Sequence, residues 1–149
     1  MVKQLTDQGI KDIDTSQLLG TGKILLFAVP GAFTPTCSAR HLPGYVAHAD
    51  QAKAQGFDKI VCLAVNDPFV MKAWLEAHKA SGIIQPLADS TAAFTRALGL
   101  TYDASAHGLG ERAQRFAMII EDGIVTTLDI EQPGQFLVSG AEHMLKQAS

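Results

Sequence analysis

One cysteine of this chain stands at the junction between an apolar run and a loop that contains proline and threonine. The run Leu-Leu-Phe-Ala-Val at residues 25–29 is typical of a buried strand, and the loop from Pro30 to Thr36 separates it from Cys37. The sequence after Cys37 favours a helix, whose first turn carries backbone N–H groups without intrahelical partners. The partial positive charge at that end stabilises an anion, and thiolate is the reactive form of cysteine. Cys37 is therefore predicted to act as a nucleophile at a helix start near the surface.

The spacing of the loop residues carries a family resemblance. The pattern Pro30-x-x-x-Thr34-x-x-Cys37 resembles the active-site signature of the peroxiredoxins, which are thiol peroxidases on a thioredoxin-like fold. The longer string PGAFTPTCSARHLPGY, at residues 30–45, is similar to the type V branch, called type II in plants. Two further blocks resemble the same branch in the expected order: VCLAVNDPFVMKAW at 61–74 and RFAMIIEDGIV at 115–125.

The resemblance implies a reaction and a set of site residues. The protein would reduce hydrogen peroxide and alkyl hydroperoxides by thiol chemistry, with no metal or prosthetic group. Cys37 would be the attacking thiolate and become a sulfenic acid. Thr34 would hydrogen-bond the thiolate and the peroxide, and Pro30 would shield the sulfur from water. Arg115 would supply positive charge; Arg112 is a rival, but the family places its arginine directly before the aromatic residue of this strand.

The second cysteine has two interpretations. Cys62 lies within the apolar run Ile-Val-Cys-Leu-Ala-Val at residues 60–65, where a small buried hydrophobe is expected. Plant-like members of the family carry a cysteine at the matching place, which makes a resolving cysteine the alternative. No cysteine follows Cys62, and this favours reduction by an external thiol from glutathione, glutaredoxin or thioredoxin. The resemblance also implies a homodimer, with Phe33 and Tyr45 in or beside its surface.

Two other classes of function remain open at this stage. His41 lies four residues after Cys37, on the same face of the expected helix, so the two could form the dyad of a cysteine hydrolase or half of a metal site. The remaining histidines show no ligand spacing with the cysteines. His41 could instead be a neighbour of the active site that holds the first helical turn. The other class is a redox-sensing module that passes oxidation to a partner protein.

Composition limits the remaining possibilities. The 149 residues favour a single domain, 1–149, and 47% hydrophobic residues are typical of a globular chain. A net charge of −3 gives no reason to expect nucleic acid as a partner, and no 18-residue apolar run indicates a membrane span. Two cysteines do not make a disulfide framework, which fits a reducing cytoplasm. The N-terminus MVKQLTDQGI lacks the apolar core of a signal peptide, although an organellar address could have been removed.

The elements that must position these residues follow from the apolar patterns. Strands are expected at 23–29, 59–65 and 83–87, and a hairpin is expected at 116–129 around Glu121-Asp122-Gly123. One helix is expected from 37 to about 54, with an interruption at Pro43-Gly44. Two more are expected from Asp67-Pro68 to about 79 and from Asp89 or Ser90 to 98. The last is expected from the capping-box pattern Ser139-x-x-Glu142 to about 147. This order predicts an α/β fold with a mixed sheet flanked by helices. The thioredoxin-like topology comes from the resemblance.

Overall fold

A seven-stranded mixed sheet organises the chain, whose computed structural model describes residues 2–6, 9–133 and 135–148. The strands are β1 (Val2–Thr6), β2 (Gly9–Ile13), β3 (Lys23–Val29), β4 (Lys59–Ala64), β5 (Gln85–Ala88), β6 (Thr101–Asp103), β7 (Glu111–Ala113), β8 (Phe116–Glu121) and β9 (Ile124–Ile130). The helices are α1 (Thr15–Leu19), α2 (Leu42–Ala47), α3 (Ala49–Ala54), α4 (Pro68–Ala77), α5 (Ala93–Ala97) and α6 (Ala141–Ala148), with a π-helical turn at Cys37–His41 and a 3-10 turn at Ser105–His107.

The order of strands in the large sheet is β2-β1-β5-β4-β3-β8-β9, and β6 and β7 form a separate pair. β3 lies between the parallel strand β4 and the antiparallel strand β8. Its apolar run is continuous because both faces of β3 are covered. Leu25, Phe27 and Val29 belong to one core cluster, while Ile24 and Leu26 belong to the cluster on the other face. The predicted α/β class, with helices around a mixed sheet, is confirmed.

The helix that follows β3 differs from the prediction in one respect. It starts at Pro35, widens into the π-helical turn Cys37–His41 and continues as α2 to Ala47, so the expected break at Pro43-Gly44 is wrong. Pro43 has no N–H to donate to the preceding turn, and its ring crowds the carbonyl four residues back. The chain accommodates this by a π turn, in which the Leu42 N–H bonds to the Cys37 carbonyl.

Turn and cap chemistry matches the sequence elsewhere. In the β8–β9 hairpin, Asp122 and Gly123 have φ values of 49° and 84°, as a tight type I′ connection requires. Asp67 caps α4 by accepting the Val70 N–H at 2.8 Å, with Pro68 in the first turn. Asp89 accepts backbone N–H groups at the start of α5, at 3.2 and 2.7 Å.

Other elements were missed or misassigned. The β1–β2 hairpin, the short helix α1 and the β6–β7 pair were not predicted. The capping box at Ser139 is wrong, because α6 begins at Ala141 and the Ser139 hydroxyl donates to Glu131 instead. None of the helices within the described ranges is long and apolar enough to cross a bilayer.

Candidate active site

Cys37 lies in the first helical turn after β3, as predicted, but its side chain is fully buried rather than near the surface. Its Sγ accepts a hydrogen bond of 3.1 Å from Nη2 of Arg115. The sheet explains how residues so distant in sequence meet. β8 pairs antiparallel with β3, and the register that sets Phe116 opposite Ala28 brings Arg115 to the end of β3 from which the loop departs. The buried sulfur therefore has a cationic donor in direct contact.

The rival arginine has different partners. Arg112 donates from Nε to the Leu109 carbonyl at 2.8 Å and from Nη1 to the Val65 carbonyl at 3.1 Å. It therefore joins the end of β4 to the segment before β7. Arg115 therefore contacts the Cys37 sulfur, whereas Arg112 contacts backbone carbonyls.

The loop that precedes Cys37 is held by hydrogen bonds of its own. The Thr34 hydroxyl donates to the Gly31 carbonyl at 2.6 Å. Its hydrogen is therefore directed away from Cys37, contrary to the expected hydrogen bond to the thiolate. The Ala32 N–H donates to Oδ1 of Asn66, in the segment after β4, at 2.9 Å. Phe33 has a φ of 63° and is 57% exposed, which is an unusual conformation for an aromatic residue. Pro30, half-buried, directly follows β3.

His41 bridges the arginine and the C-terminal segment. Its Nε2 lies 2.9 Å from the Ser139 carbonyl, and its Nδ1 lies 2.7 Å from Nη1 of Arg115. Burial, with the Arg115 charge as the second cause, lowers the pKa of His41 to about 3. The ring is therefore neutral near pH 7, and its acceptor nitrogen is occupied by Arg115 rather than by Cys37. This geometry does not form a Cys–His dyad, and the described residues contain no group of three or more metal-binding side chains.

Two aromatic side chains enclose the site. Tyr45 is fully buried, stacks on Phe27 at 4.0 Å between ring centroids and donates its hydroxyl to the Ser139 carbonyl at 2.7 Å. The expectation that Tyr45 lies at the surface is therefore wrong. Phe136 lies 4.9 Å from the His41 ring. A Cβ at Gly140 would come within 3.2 Å of the Phe136 ring, so glycine makes room for this contact.

The second cysteine is also buried, but its surroundings are different. Cys62 lies in β4 opposite Phe27 of β3 and Pro86 of β5. Both cysteines are free thiols and belong to one core cluster. Burial, followed by the proximity of Cys37, holds the pKa of the Cys62 thiol well above its usual value. A protonated thiol is a poor nucleophile.

Sequence reasoning missed three residues of this site, which are Glu131, Phe136 and Ser139. Glu131 directly follows a strand, and nothing beside it in sequence indicates that it turns inward. Ser139 was assigned to a capping box, and Phe136 lies in a segment with no periodic pattern. Their roles depend on contacts with residues far away in the chain, which a local pattern does not carry.

Comparison with known proteins relates the chain to one family. The redoxin family model matches residues 2–145. Peroxiredoxin-2C of Oryza sativa subsp. japonica is 47% identical over 137 residues, covering 92% of this chain and 85% of the relative. Peroxiredoxin-2B of Arabidopsis thaliana is 46% identical over 124 residues, covering 83% and 76%. The structure of reduced Prx3 in complex with hydrogen peroxide from Vibrio vulnificus superposes with a TM-score of 0.95 at 52% identity, covering 99% of this chain and 92% of the other.

The fold and the matches over nearly the whole chain define a redox protein of the thioredoxin-like class. The chain belongs to the redoxin family, as a peroxiredoxin similar to the plant type II members. It is a thiol-dependent peroxidase, an oxidoreductase that reduces peroxides. The hydrolase and the sensing module fit these findings less well.

Proposed function

We propose that Cys37 is the peroxidatic cysteine, and the 3.1 Å hydrogen bond from Arg115 to its sulfur is the observation that carries this proposal. The Cys37 thiolate attacks one peroxide oxygen, so that an S–O bond forms as the O–O bond breaks. The electron pair of the O–O bond leaves with the second oxygen, which takes up a proton as water or an alcohol. Cys37 is left as a sulfenic acid. The structural neighbour that binds hydrogen peroxide supports this choice of substrate.

Arg115 supplies the charge for this step. Burial of Cys37 disfavours a thiolate, and the guanidinium provides a charge-assisted hydrogen bond that offsets this cost. As negative charge moves from the sulfur to the departing oxygen, the same fixed cation stabilises both ends of the reaction. Metal-free thiol chemistry of this kind needs no prosthetic group.

Thr34 and Pro30 shape the approach of the peroxide. Because the Thr34 hydroxyl gives its hydrogen to the Gly31 carbonyl, its oxygen is left to accept a hydrogen bond from the peroxide O–H. This would orient the O–O bond toward the sulfur. Pro30 has no N–H and presents an apolar ring at the end of β3, where it would limit the access of water to the sulfur.

An external thiol regenerates the enzyme in this proposal. A thiol attacks the Cys37 sulfenate and releases water, and a second thiol then reduces the mixed disulfide. Cys62 is assigned a structural role, because its buried, protonated thiol lies in the middle of the sheet. Glutathione with glutaredoxin, or thioredoxin, would supply the electrons. Two free cysteines suit a reducing compartment, and we propose the cytoplasm.

A homodimer through the active-site face is also part of the proposal. Phe33, Phe69 and Leu137 are 57%, 58% and 69% exposed, although all three are large and apolar. Such side chains are typical of protein interfaces. Sedimentation of the reduced protein at micromolar concentration is expected to show a dimer of single-domain chains. The double variant Phe33→Ser, Phe69→Ser is expected to sediment as a monomer. A strict monomer in the wild type would contradict the dimer.

The function is tested by peroxide consumption with the two reductant systems side by side. Purified protein is expected to turn over hydrogen peroxide and an alkyl hydroperoxide many times with glutathione plus glutaredoxin, with thioredoxin plus its reductase, or with both. Oxidation that stops after one equivalent with every reductant would indicate the sensing module. Absence of any thiol oxidation would contradict the assignment of Cys37.

A further inference from the structure

We propose that Glu131, Ser139 and His41 are positioning residues that fix the side chain of Arg115 against Cys37. This inference rests on the roles proposed above for Arg115 and Cys37. The three residues form one continuous path of hydrogen bonds that begins at a buried carboxylate and ends at the guanidinium. None of them contacts the sulfur in this path, so each acts through Arg115.

The path starts at Glu131, which is 6% exposed. Its Oε2 accepts the N–H groups of Val138 and Ser139, both at 2.8 Å, and the Ser139 hydroxyl at 2.7 Å. Both carboxylate oxygens also accept the Leu137 N–H at 2.8 Å. Burial on its own would raise the pKa of Glu131, but these hydrogen bonds outweigh it and hold that pKa below its usual value. Glu131 is therefore an ionised anchor for the turn before α6.

The same residue also holds the backbone of the arginine. The Glu131 N–H donates to the Arg115 carbonyl at 2.9 Å, just beyond the paired residues of β8 and β9. One residue thus links the main chain of Arg115 to the turn that carries Ser139. Glu131 therefore fixes the distance between the main chain of Arg115 and the turn that contains Ser139.

His41 transmits this arrangement to the guanidinium. A carbonyl oxygen can only accept, so the bond to Ser139 requires that Nε2 of His41 carry the hydrogen. Nδ1 then has a free lone pair, and it accepts from Nη1 of Arg115 at 2.7 Å. The Tyr45 hydroxyl donates to the same Ser139 carbonyl at 2.7 Å and helps to fix it. With Nη1 held in this way, Nη2 is directed to Sγ of Cys37 at 3.1 Å.

Such a fixed geometry matters because an arginine side chain has several rotatable bonds. The guanidinium must donate hydrogen bonds to both the sulfur and the departing oxygen. A small displacement of the guanidinium lengthens these hydrogen bonds and weakens the stabilisation of the transition state. Displacement of a catalytic group by about 1 Å can cost on the order of 100-fold in rate. Loss of the path is therefore expected to lower peroxide reactivity while Cys37 and Arg115 are both still present.

A double-mutant cycle tests this proposal on the full chain. His41→Leu removes both hydrogen bonds of the ring, whereas His41→Gln keeps a donor and an acceptor. We expect His41→Leu to lower the second-order rate constant with hydrogen peroxide by roughly 10- to 100-fold, and His41→Gln to restore much of it. In an Arg115→Ala background, His41→Leu is expected to cause no further loss, because its effect passes through the arginine.

Glu131→Gln tests the far end of the path. Its amide NH₂ would face N–H donors of the turn, so we expect a loss similar to that of His41→Leu. Glu142→Gln, in α6 and exposed, is the matched control and is expected to react as the wild type does. If Glu131→Gln fails to fold, Ser139→Ala replaces it in the test. Ser139→Ala removes only the hydroxyl donor, so its expected loss of rate is smaller than that of His41→Leu.

The outcomes distinguish the positioning role of His41 and Glu131 from the catalytic role proposed for Arg115. Equal losses from His41→Leu in the presence and absence of Arg115 would overturn the positioning role and leave the function of Arg115 intact. Wild-type rates in both His41→Leu and Glu131→Gln would overturn it in the same way. A wild-type rate in Arg115→Ala would overturn the proposed role of the arginine itself, and the positioning role with it.

Discussion

Cys37 and Cys62 are equally buried, with 0% exposure each, and they belong to the same core cluster. Their partners are what differ. Cys37 lies in the first turn of a helix and accepts a hydrogen bond from Arg115. Cys62 lies in the middle of β4, where burial raises the pKa of its thiol. Burial alone therefore does not distinguish the two cysteines, and in the proposed mechanism the cationic donor beside Cys37 makes the difference.

The largest expected effect comes from removing the reactive sulfur. Cys37→Ser is expected to abolish peroxide turnover, because a serine hydroxyl is not ionised near pH 7 and cannot accept the peroxide oxygen reversibly. The rate of peroxide loss in the presence of reductant measures this. Turnover at the wild-type level in this variant would falsify the mechanism.

The next effect contrasts the two arginines. Arg115→Ala is expected to lower the rate by about 10²–10³-fold, the usual result of removing a preorganised donor from a transition state that develops charge. Arg112→Ala removes hydrogen bonds to the Leu109 and Val65 carbonyls and is expected to change stability more than the rate. Stopped-flow reaction with hydrogen peroxide measures both variants. A larger loss of rate in Arg112→Ala would reverse the assignment.

Thr34→Val tests the orienting group beside Cys37. Valine keeps the shape of the side chain but cannot accept the peroxide O–H, so we expect a loss of roughly 10²-fold in the reaction with hydrogen peroxide. Alkylation of Cys37 by iodoacetamide, which presents no O–H to orient, is the control and is expected to change much less. Equal losses in the two reactions would mean that Thr34 acts on the thiolate rather than on the peroxide.

Cys62→Ser is expected to leave the reaction nearly unchanged. The variant is expected to retain most of the peroxidase activity with glutathione plus glutaredoxin. The buried hydroxyl needs a hydrogen-bond partner, so the free energy of unfolding is expected to fall by about 1–3 kcal/mol. Urea denaturation and steady-state turnover measure the two quantities. An inactive but folded variant would show that Cys62 takes part in the catalytic cycle.

The pH dependence of stability does not involve the reaction with peroxide and tests the burial of His41. The pKa of His41 falls from an ordinary value of 6.5 to about 3 on folding. Below about pH 6.5 the unfolded chain therefore takes up a proton that the folded chain does not. The free energy of unfolding falls by up to about 1.4 kcal/mol per pH unit as the pH drops toward 3. Above pH 6.5 the ring is neutral in both states and contributes no slope.

This slope is measured as a difference between two proteins. Urea denaturation between about pH 7 and pH 5 is expected to show a steeper loss of stability in the wild type than in His41→Gln, which lacks the titrating ring. The pKa of Glu131 is held below its usual value, so its own contribution is lost only at lower pH. Parallel curves for the two proteins would show that His41 is not buried as a neutral ring.

The contrast between the two cysteines also separates what the sequence predicts from what it does not. Three predictions that depend on neighbouring residues are confirmed: the strand around Cys62, the helix with Cys37 in its first turn, and the hairpin at Asp122-Gly123. The family resemblance selected Arg115, whose side chain donates to the Cys37 sulfur, and its catalytic role stays a prediction.

Contacts between distant residues were not predicted. The path from Glu131 to His41 joins chain segments about 90 residues apart, so no local pattern indicates it. The full burial of Cys37 was also missed. The full burial of Tyr45 was missed for a related reason, because its hydroxyl bonds to the Ser139 carbonyl, 94 residues away in the sequence. The π turn before Pro43 is a third case, since proline is usually a sign of a break.

The most direct test of the proposed mechanism identifies the sulfur that peroxide oxidises. The reduced protein is treated with one equivalent of hydrogen peroxide in the presence of dimedone, which traps sulfenic acids, and is then digested with trypsin. Cleavage at the lysines and arginines places Cys37 in the peptide 24–40 and Cys62 in the peptide 60–72. The proposed mechanism places the dimedone adduct on the first peptide alone. An adduct on the second peptide, or a disulfide between the two peptides as the main product at the rate of turnover, would contradict it.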